Sequence, residues 1–244
     1  MPKKRKSKLK EIIKKILKLI LKIFLGIILL SVFSVILLKW INPVTSSIMI
    51  QRKINALVTF KERQMIAYEW FNYDDISKQM PLSVIAAEDQ NFPFHFGFDF
   101  EQIGKALEQH DRGRRLRGAS TITQQVAKNL FLWEGRSFIR KGLEAYFTLL
   151  IELLWSKERI LEIYLNITEM GDMIFGVGAA SQIYFRKTPD KLTSSQAALL
   201  AAVIPNPLQF LVRKPSSYIL QRQNWILNQM SSLGGIDYLK NLYK

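Results

Sequence analysis

The sequence predicts an all-α protein preceded by one membrane-spanning helix. Apolar residues recur at helical spacing along most of the chain after residue 50. No alternation of strands with helices and no internal repeat is visible, which argues against an α/β fold and against a repeat fold. The sixteen residues of 23–38 carry no charge and directly follow a basic segment, as expected for a membrane helix.

Composition excludes several classes of protein. The 244 residues contain 35 Lys and Arg against 20 Asp and Glu, and this net charge of +15 suggests a nucleic-acid or anionic membrane partner. The chain has no cysteine, which excludes a disulfide scaffold, a thiolate nucleophile and Cys-ligated metal centres. Two histidines are too few for a His-rich metal site, and 48% hydrophobic residues are too many for a disordered basic protein.

The positive charge is concentrated at the N-terminus. Residues 1–22 hold ten lysines and arginines and one acid, Glu11, a local charge of +9 that leaves +6 for the rest of the chain. The rest shows no basic stripe interleaved with aromatic residues, so no nucleic-acid partner is expected.

The range 1–18 is predicted to be a basic cytoplasmic tail, and 19–39 a transmembrane signal anchor. About 20 apolar residues span a hydrocarbon core of about 30 Å, provided that Lys22 extends toward the headgroups. A cleaved signal peptide would need a small-residue site, but the first alanine is Ala56. Positive residues stay inside, so the chain after Trp40 is expected outside. A buried core helix is the less favoured alternative.

A connector over 40–60 is expected to lead into one compact domain over 61–244. Pro81 indicates the first turn of a short helix that ends near Glu88. Further helices are predicted at Thr121–Leu130, within 141–165, from a Thr193–Gln196 capping box to a stop at Pro205, and at Ser217–Leu233.

Two segments are expected to be irregular. Phenylalanines alternate from Phe92 to Phe100 as in a strand, but Pro93 and Gly97 interrupt the pattern, which favours a loop that buries several rings. The stretch His110–Gly118, with its arginines at 112–117, has little apolar content and is expected to form a surface loop.

Glu88 follows an apolar helix and precedes Phe92. Burial and the helix C-terminus both disfavour a charged carboxylate, so a raised pKa is expected, which suits general acid–base chemistry near neutral pH. The alternative is a surface carboxylate at a helix end.

Polar side chains and cations follow over residues 118–141. Ser120 or Thr121 can cap a helix whose N-terminal amides face an anion or a sugar, or the segment is simply a well-capped helix. The cations that follow are numerous enough to hold a diphosphate: Lys128, Arg136, Arg140 and Lys141.

Glu144 shares a helical face with Arg140 and Lys141. The three form either an exposed ion pair or a second functional carboxylate beside phosphate-binding cations. Two separated carboxylates suggest glycosyl hydrolysis or transfer, and the cations favour transfer from a phosphate-activated sugar.

Five motifs stand in order along residues 75–230. They are Glu88, Asp89, Phe92, His95, Gly97 and Asp99; GASTITQQVAKN at 118–129; Arg140, Lys141 and Glu144; a fourth motif from Lys157 to Gly171; and the 197–205 helix with its stop. On these residues the chain resembles the peptidoglycan glycosyltransferases of glycosyltransferase family 51, in particular its monofunctional biosynthetic members of Gram-negative type.

The resemblance implies a lysozyme-like catalytic domain with a smaller membrane-proximal lobe. It implies polymerisation of lipid II into β-1,4-linked glycan with inversion and release of undecaprenyl diphosphate. Glu88 is expected to be the general base on the acceptor 4-hydroxyl. Glu144 is expected to act at the donor diphosphate, as the ligand of a divalent cation (Mg or Mn) or through neighbouring cations.

The resemblance also implies a substrate-binding set, a location and partners. The set is Asp89, Phe92, His95, Ser120, Thr121, Gln124, Gln125, Lys128, Asn129, Arg136, Arg140 and Lys141. The protein is expected in the bacterial inner membrane, with a periplasmic catalytic domain and with other cell-wall synthesis and division proteins as partners. Cross-linking activity is not expected. The alternatives are a lytic enzyme of the same fold, which would cleave finished glycan, and a membrane-tethered scaffold.

Overall fold

The computed structural model describes residues 2–59, 65–111, 120–135 and 137–243. These residues form ten α-helices and three short strands, which confirms the predicted helical fold class. The chain divides into two compact units, Met1–Ile41 and Asn42–Lys244.

The first unit is a single helix, α1, from Pro2 to Leu38. Its segment Lys10–Leu38 has 29 residues and contains an 18-residue stretch with a mean hydropathy of 2.8, so it is long and apolar enough to cross a membrane. Large apolar side chains such as Leu29 and Leu30 are exposed along it, as expected for a helix that lipid covers. A signal sequence shares these properties, so the uncleaved anchor stays a prediction.

The second unit holds all the remaining elements. The helices are α2 (Ser47–Val58), α3 (Gln79–Glu88), α4 (Phe100–Asp111), α5 (Ile122–Phe131), α6 (Phe138–Leu154), α7 (Lys157–Ile167), α8 (Gly176–Phe185), α9 (Ser194–Val203) and α10 (Ser217–Ser232). The strands are β1 (Ala67–Tyr68), β2 (Glu169–Gly171) and β3 (Ile174–Phe175), and 3₁₀ helices lie at Tyr73–Asp75, Pro189–Lys191 and Gly235–Tyr243.

The predicted connector, 40–60, contains helix α2. Ser46 caps this helix by accepting a hydrogen bond from the Met49 amide, and Ile48, Met49 and Ala56 are buried. The helix packs against α5, so this part of the range belongs to the compact unit. The predicted boundary at residue 60 lies outside the described residues.

Helix α3 is the central helix of the second unit. Every residue from Met80 to Ala87 is buried, and the helix packs against α9 and α10. Pro81 lies in its first turn, as predicted. The Thr193–Gln196 capping box at the start of α9 is also confirmed, and α9 ends at Val203, before Pro205.

Helix α5 packs against α6 and α7. Thr121 caps it, and Thr121 and Gln124 form a reciprocal capping box. The predicted helical range 141–165 is divided between α6 and α7, because Ser156 caps a new helix by accepting from the Arg159 amide.

The sequence pattern did not predict the small three-stranded sheet. Strand β3 pairs in parallel with β1 and antiparallel with β2. Each strand has only two or three residues, too few for an alternating pattern to be recognised.

The phenylalanine segment is an irregular loop, as predicted, but the expectation that it buries several rings is wrong. Phe92 is fully buried, whereas Phe94, Phe96 and Phe100 are 63%, 51% and 77% exposed. A loop has no regular alternation of faces, so ring spacing does not decide burial here.

The arginine-rich segment does not start as a loop at His110, because α4 continues to Asp111. Residues 112–119, which hold its arginines, lie outside the described residues.

Gly97 is required by the packing of this loop on α6. Its φ is +75°, and a Cβ placed there would lie 2.6 Å from Thr148 Cγ2. The carbonyl of Gly97 also accepts a hydrogen bond from Thr121 Oγ1 at 2.7 Å, so the glycine lies between α6 and the start of α5.

We expect Gly97→Ala to lower the free energy of unfolding by about 2–4 kcal/mol. Alanine would have to adopt a left-handed backbone conformation, and its methyl group would overlap Thr148. Guanidinium unfolding of the full chain in detergent, followed by tryptophan fluorescence, measures this. Gly104→Ala is the control, since a Cβ at this helical glycine meets nothing within 4 Å. It should stabilise by about 0.5–1 kcal/mol, and equal effects of the two variants would contradict the packing argument.

Candidate active site

Glu88 is the last residue of α3 and is half-buried. Gln125 Nε2 donates a hydrogen bond to its Oε2 at 2.9 Å. Burial raises the pKa of Glu88, and the Gln125 hydrogen bond and the charges of Arg222 and Lys128 counteract this only in part. The raised pKa expected from the sequence is therefore confirmed in direction.

Gln125 is itself held in place from α7. Tyr164 is fully buried, and its hydroxyl donates to Gln125 Oε1 at 3.1 Å. Burial raises the pKa of Tyr164 well above its usual value, so this hydroxyl stays protonated and remains a donor. With its oxygen used in this way, the Gln125 amide presents its nitrogen to Glu88.

Asp89 joins the end of α3 to the start of α5. Its side chain is buried, with Oδ1 at 2.8 Å from His95 Nε2, while Oδ2 accepts from the Ile122 amide at 3.0 Å. A carboxylate at a helix N-terminus is favoured both by the free amides and by the helix dipole.

The start of α5 shows which of two predicted residues is the cap. Thr121 is buried and makes the capping contacts, whereas Ser120 is exposed. Gln124 Oε1 accepts from the Thr121 amide at 3.0 Å, so in this structure Gln124 completes the cap.

Glu152 connects three elements around the site, and the sequence interpretation missed it. Its Oε1 accepts from Thr123 Oγ1 at 2.5 Å and from Lys157 Nζ at 2.8 Å. Lys157 also donates to the His95 carbonyl at 2.6 Å. The available signal was a single carboxylate within the apolar run of α6.

Glu144 lies on α6 and is only 3% exposed. Arg140 Nη1 donates to its Oε2 at 2.7 Å, and Lys141 Nζ pairs with its Oε1. The interpretation of these residues as an exposed ion pair is therefore wrong, because α6 turns Glu144 towards the protein.

Lys128 lies on α5 near both carboxylates. Burial lowers the pKa of Lys128, and the positive charge of Arg140 lowers it further. The negative charge of Glu144 opposes this shift, and that of Glu88 does so more weakly. Within the described residues Lys128 makes no side-chain hydrogen bond or ion pair, so its ammonium is available to an anionic ligand.

The remaining predicted residues have different placements. Phe92 has no exposed surface and lies with its ring centroid 4.6 Å from Lys157 Nζ, so it supports the loop from behind. Asn129 is half-buried on α5. Arg136 lies outside the described residues.

The described residues offer little support for a metal site. Ligand atoms of Asp89, His95 and Asp99 lie within 4.8 Å of one another. However, all four carboxylate oxygens of this group already accept hydrogen bonds. Those of Asp89 accept from His95 and the Ile122 amide, and those of Asp99 accept from Asn91 and the Gln102 amide. Glu144 likewise has both oxygens paired with cations, so a divalent ion would have to displace one of them.

Comparison with known proteins agrees with this arrangement. The family model described as Transglycosylase matches residues 54–231, which include every residue of the candidate site described above. The chain belongs to the transglycosylase family. Biosynthetic peptidoglycan transglycosylases of Escherichia coli K12, O139:H28 (strain E24377A) and O9:H4 (strain HS) are each 56% identical to this transglycosylase over 196 residues. That alignment covers 80% of this chain and 81% of each relative.

The buried pair of Glu152 and Lys157 generates a stability prediction. Glu152→Gln leaves the Lys157 ammonium without its counter-ion, and we expect a loss of about 3–5 kcal/mol in the free energy of unfolding. Thermal and guanidinium unfolding in detergent measure it. The control is Glu101→Gln, which breaks the exposed pair with Lys105 and should leave stability almost unchanged. A loss no larger than that of the control would mean that the buried pair does not stabilise the site.

Proposed function

We propose that this transglycosylase polymerises lipid II into β-1,4-linked glycan strands, with Glu88 as the general base. The class of reaction, peptidoglycan glycosyl transfer, follows from the family match and from the 56% identity to biosynthetic peptidoglycan transglycosylases. The observation that supports the role of Glu88 is its half-buried position, held by Gln125 at the edge of an apolar helix.

In the proposed reaction Glu88 takes the proton of the acceptor 4-hydroxyl. The acceptor oxygen forms a bond to the anomeric carbon of the donor, on the face opposite the leaving group, which inverts the configuration. The bond from that carbon to the diphosphate oxygen breaks, and undecaprenyl diphosphate leaves with the electron pair. A base with a raised pKa is well matched to this proton transfer near neutral pH.

The cations around Glu144 supply the second part of the proposal. Lys128, Arg140 and Lys141 would neutralise the charge that builds up on the departing diphosphate, an electrostatic contribution that is often the largest in an enzyme. Glu144 fixes the positions of Arg140 and Lys141 through its two carboxylate oxygens. The predicted contacts of Ser120, Gln125, Asn129 and Arg136 with sugar or phosphate belong to the same proposal.

The lytic alternative is not favoured. A glycan hydrolase requires an activated water and has no need of a cation cluster beside its second carboxylate. Here Glu144 lies between two cations, an arrangement suited to a diphosphate donor. The relatives compared above are also biosynthetic enzymes by name.

A divalent cation, Mg or Mn, held by Glu144 together with the substrate diphosphate remains a proposal. Magnesium is commonly bound through one or two carboxylates plus phosphate oxygens, so one carboxylate can suffice when the substrate is bound. The resting ion pairs of Glu144 would have to open first, and the reaction described above uses no metal-dependent step.

The apolar helix α1 supports a location in the membrane. We place the protein in the inner membrane with the basic tail 1–18 in the cytoplasm and the catalytic unit in the periplasm, because lysines and arginines favour the cytoplasmic side. Other cell-wall synthesis and division proteins are its proposed partners.

We expect Glu88→Gln to lower the turnover of lipid II by about 10²–10⁴-fold, because the amide cannot accept the proton. The measurement is polymerisation of purified lipid II by the full chain in detergent, followed by muramidase digestion of the product. Glu101→Gln, a change of the same kind on the exposed face of α4, should polymerise at the normal rate. Near-normal synthesis by Glu88→Gln would remove Glu88 from the role of base.

Release of muropeptides from purified sacculi by the unmodified chain would favour the lytic alternative.

We expect Glu144→Gln to change the dependence of turnover on added Mg or Mn. Titration of the metal after treatment with a chelator, with lipid II as substrate, compares the variant with the unmodified chain. An identical titration for both would contradict a metal-binding role for Glu144 and leave the neighbouring cations as the only neutralising groups.

A further inference from the structure

The C-terminal part of the domain holds the turn that carries Glu88. Arg222, on α10, donates from Nη2 to the Ala87 carbonyl at 2.9 Å. Gln229, also on α10, accepts from Gln90 Nε2 at 3.0 Å, and the Tyr238 hydroxyl donates to the Gln90 carbonyl at 2.5 Å. Three side chains from beyond residue 216 thus contact the residues on either side of the Glu88–Asp89 pair.

Arg222 differs from the other two because it brings a charge. Its guanidinium is half-buried and lies with Cζ 4.3 Å from the Trp225 ring centroid, which limits its movement. By bonding the Ala87 carbonyl it also covers one of the last carbonyls of α3, where the helix dipole is negative and disfavours an ionised carboxylate.

We propose that Arg222 is a positioning residue for the reaction, which holds the C-terminus of α3 through the Ala87 carbonyl and keeps Glu88 in the ionised form that a general base requires. This inference rests on the proposed role of Glu88. It adds to that role a residue outside the five sequence motifs.

Within the part of the chain that the structure describes, few other groups act on Glu88. Helix α5 contributes neutral Gln125 and the cation Lys128, α7 contributes the Tyr164 hydroxyl, and the neighbouring acid is Asp89. Helix α9 packs against α3 but has no charged residue between Ser194 and Val203. The 3₁₀ helix Gly235–Tyr243 brings Tyr238 to Gln90, and its ion pair of Asp237 and Lys240 is exposed.

The balance among these groups gives the direction of the effect. Burial raises the pKa of Glu88, and the charge of Arg222 is one of the influences that lower it. Removal of that charge therefore raises the pKa of Glu88 further, and a larger fraction of the base is protonated at any pH near the pKa. The rate of polymerisation then falls on the acidic side and recovers at higher pH.

The test compares Arg222→Gln with Arg222→Lys in the full chain. Both variants keep a donor for the Ala87 carbonyl, but only Lys keeps the positive charge. We measure kcat/KM for lipid II polymerisation against pH. For Arg222→Gln the acidic limb should move up by about 1 pH unit, with a roughly tenfold lower rate below the limb. For Arg222→Lys the limb should stay near its original position.

Gln229→Met is the matched control for a purely structural effect. It removes a neutral contact of the same turn, so it can lower the plateau of the profile but should not move the limb. Thermal unfolding identifies variants that are folded, and Arg222→Met is the second neutral substitution if the Gln variant is not.

Two results would overturn the proposal. The first is an acidic limb in the folded neutral variant at the same pH as in the unmodified chain, whatever its plateau. The second is an acidic limb that persists in Glu88→Gln, which would show that Glu88 does not cause it and would also overturn its role as base. A neutral variant with an unmoved limb, together with an inactive Glu88→Gln, rejects the role of Arg222 alone.

Discussion

The buried carboxylate of Asp89 is the contact on which the site depends. One of its oxygens lies against His95 in the irregular loop, and the other accepts from the first amide of α5. Glu88 directly precedes Asp89, and Gln125 lies one turn into α5. The contact of Asp89 with the start of α5 therefore brings the Gln125 amide within hydrogen-bonding distance of Glu88. An arrangement that left this buried carboxylate without its hydrogen-bond donors would be costly.

Local features of the fold and the site could be predicted from the sequence. The cap of α9 by Thr193, and that of α5 within the Ser120–Thr121 pair, depend on residues only three positions apart, and Pro81 acts within its own turn. The raised pKa of Glu88 also followed from local information, because an apolar helix precedes it and an aromatic loop follows. Such inferences succeed where neighbours in sequence determine the environment.

Features that depend on distant residues could not be predicted. The contact of Arg222 with Ala87 joins residues 135 positions apart, and that of Glu152 with Thr123 joins residues 29 apart. The burial of Glu144 depends on which face of α6 packs against α5. The spacing of Arg140, Lys141 and Glu144 does not reveal this, because the same spacing also occurs on exposed helices. The exposure of Phe94 was not predicted for a related reason. In an irregular loop, the spacing of residues in the sequence does not indicate which side chains are buried.

Lys128 shows how the fold gives up stability in favour of binding. Its ammonium has lost part of its water on folding, as its lowered pKa indicates, and no side chain among the described residues pairs with it. A neutral side chain of similar shape would suit the folded state better, whereas an anionic ligand finds a cation that needs little further dehydration. Selection for stability alone would therefore act against this lysine. Because Lys128 lowers the stability of the domain, fewer other destabilising substitutions can be tolerated.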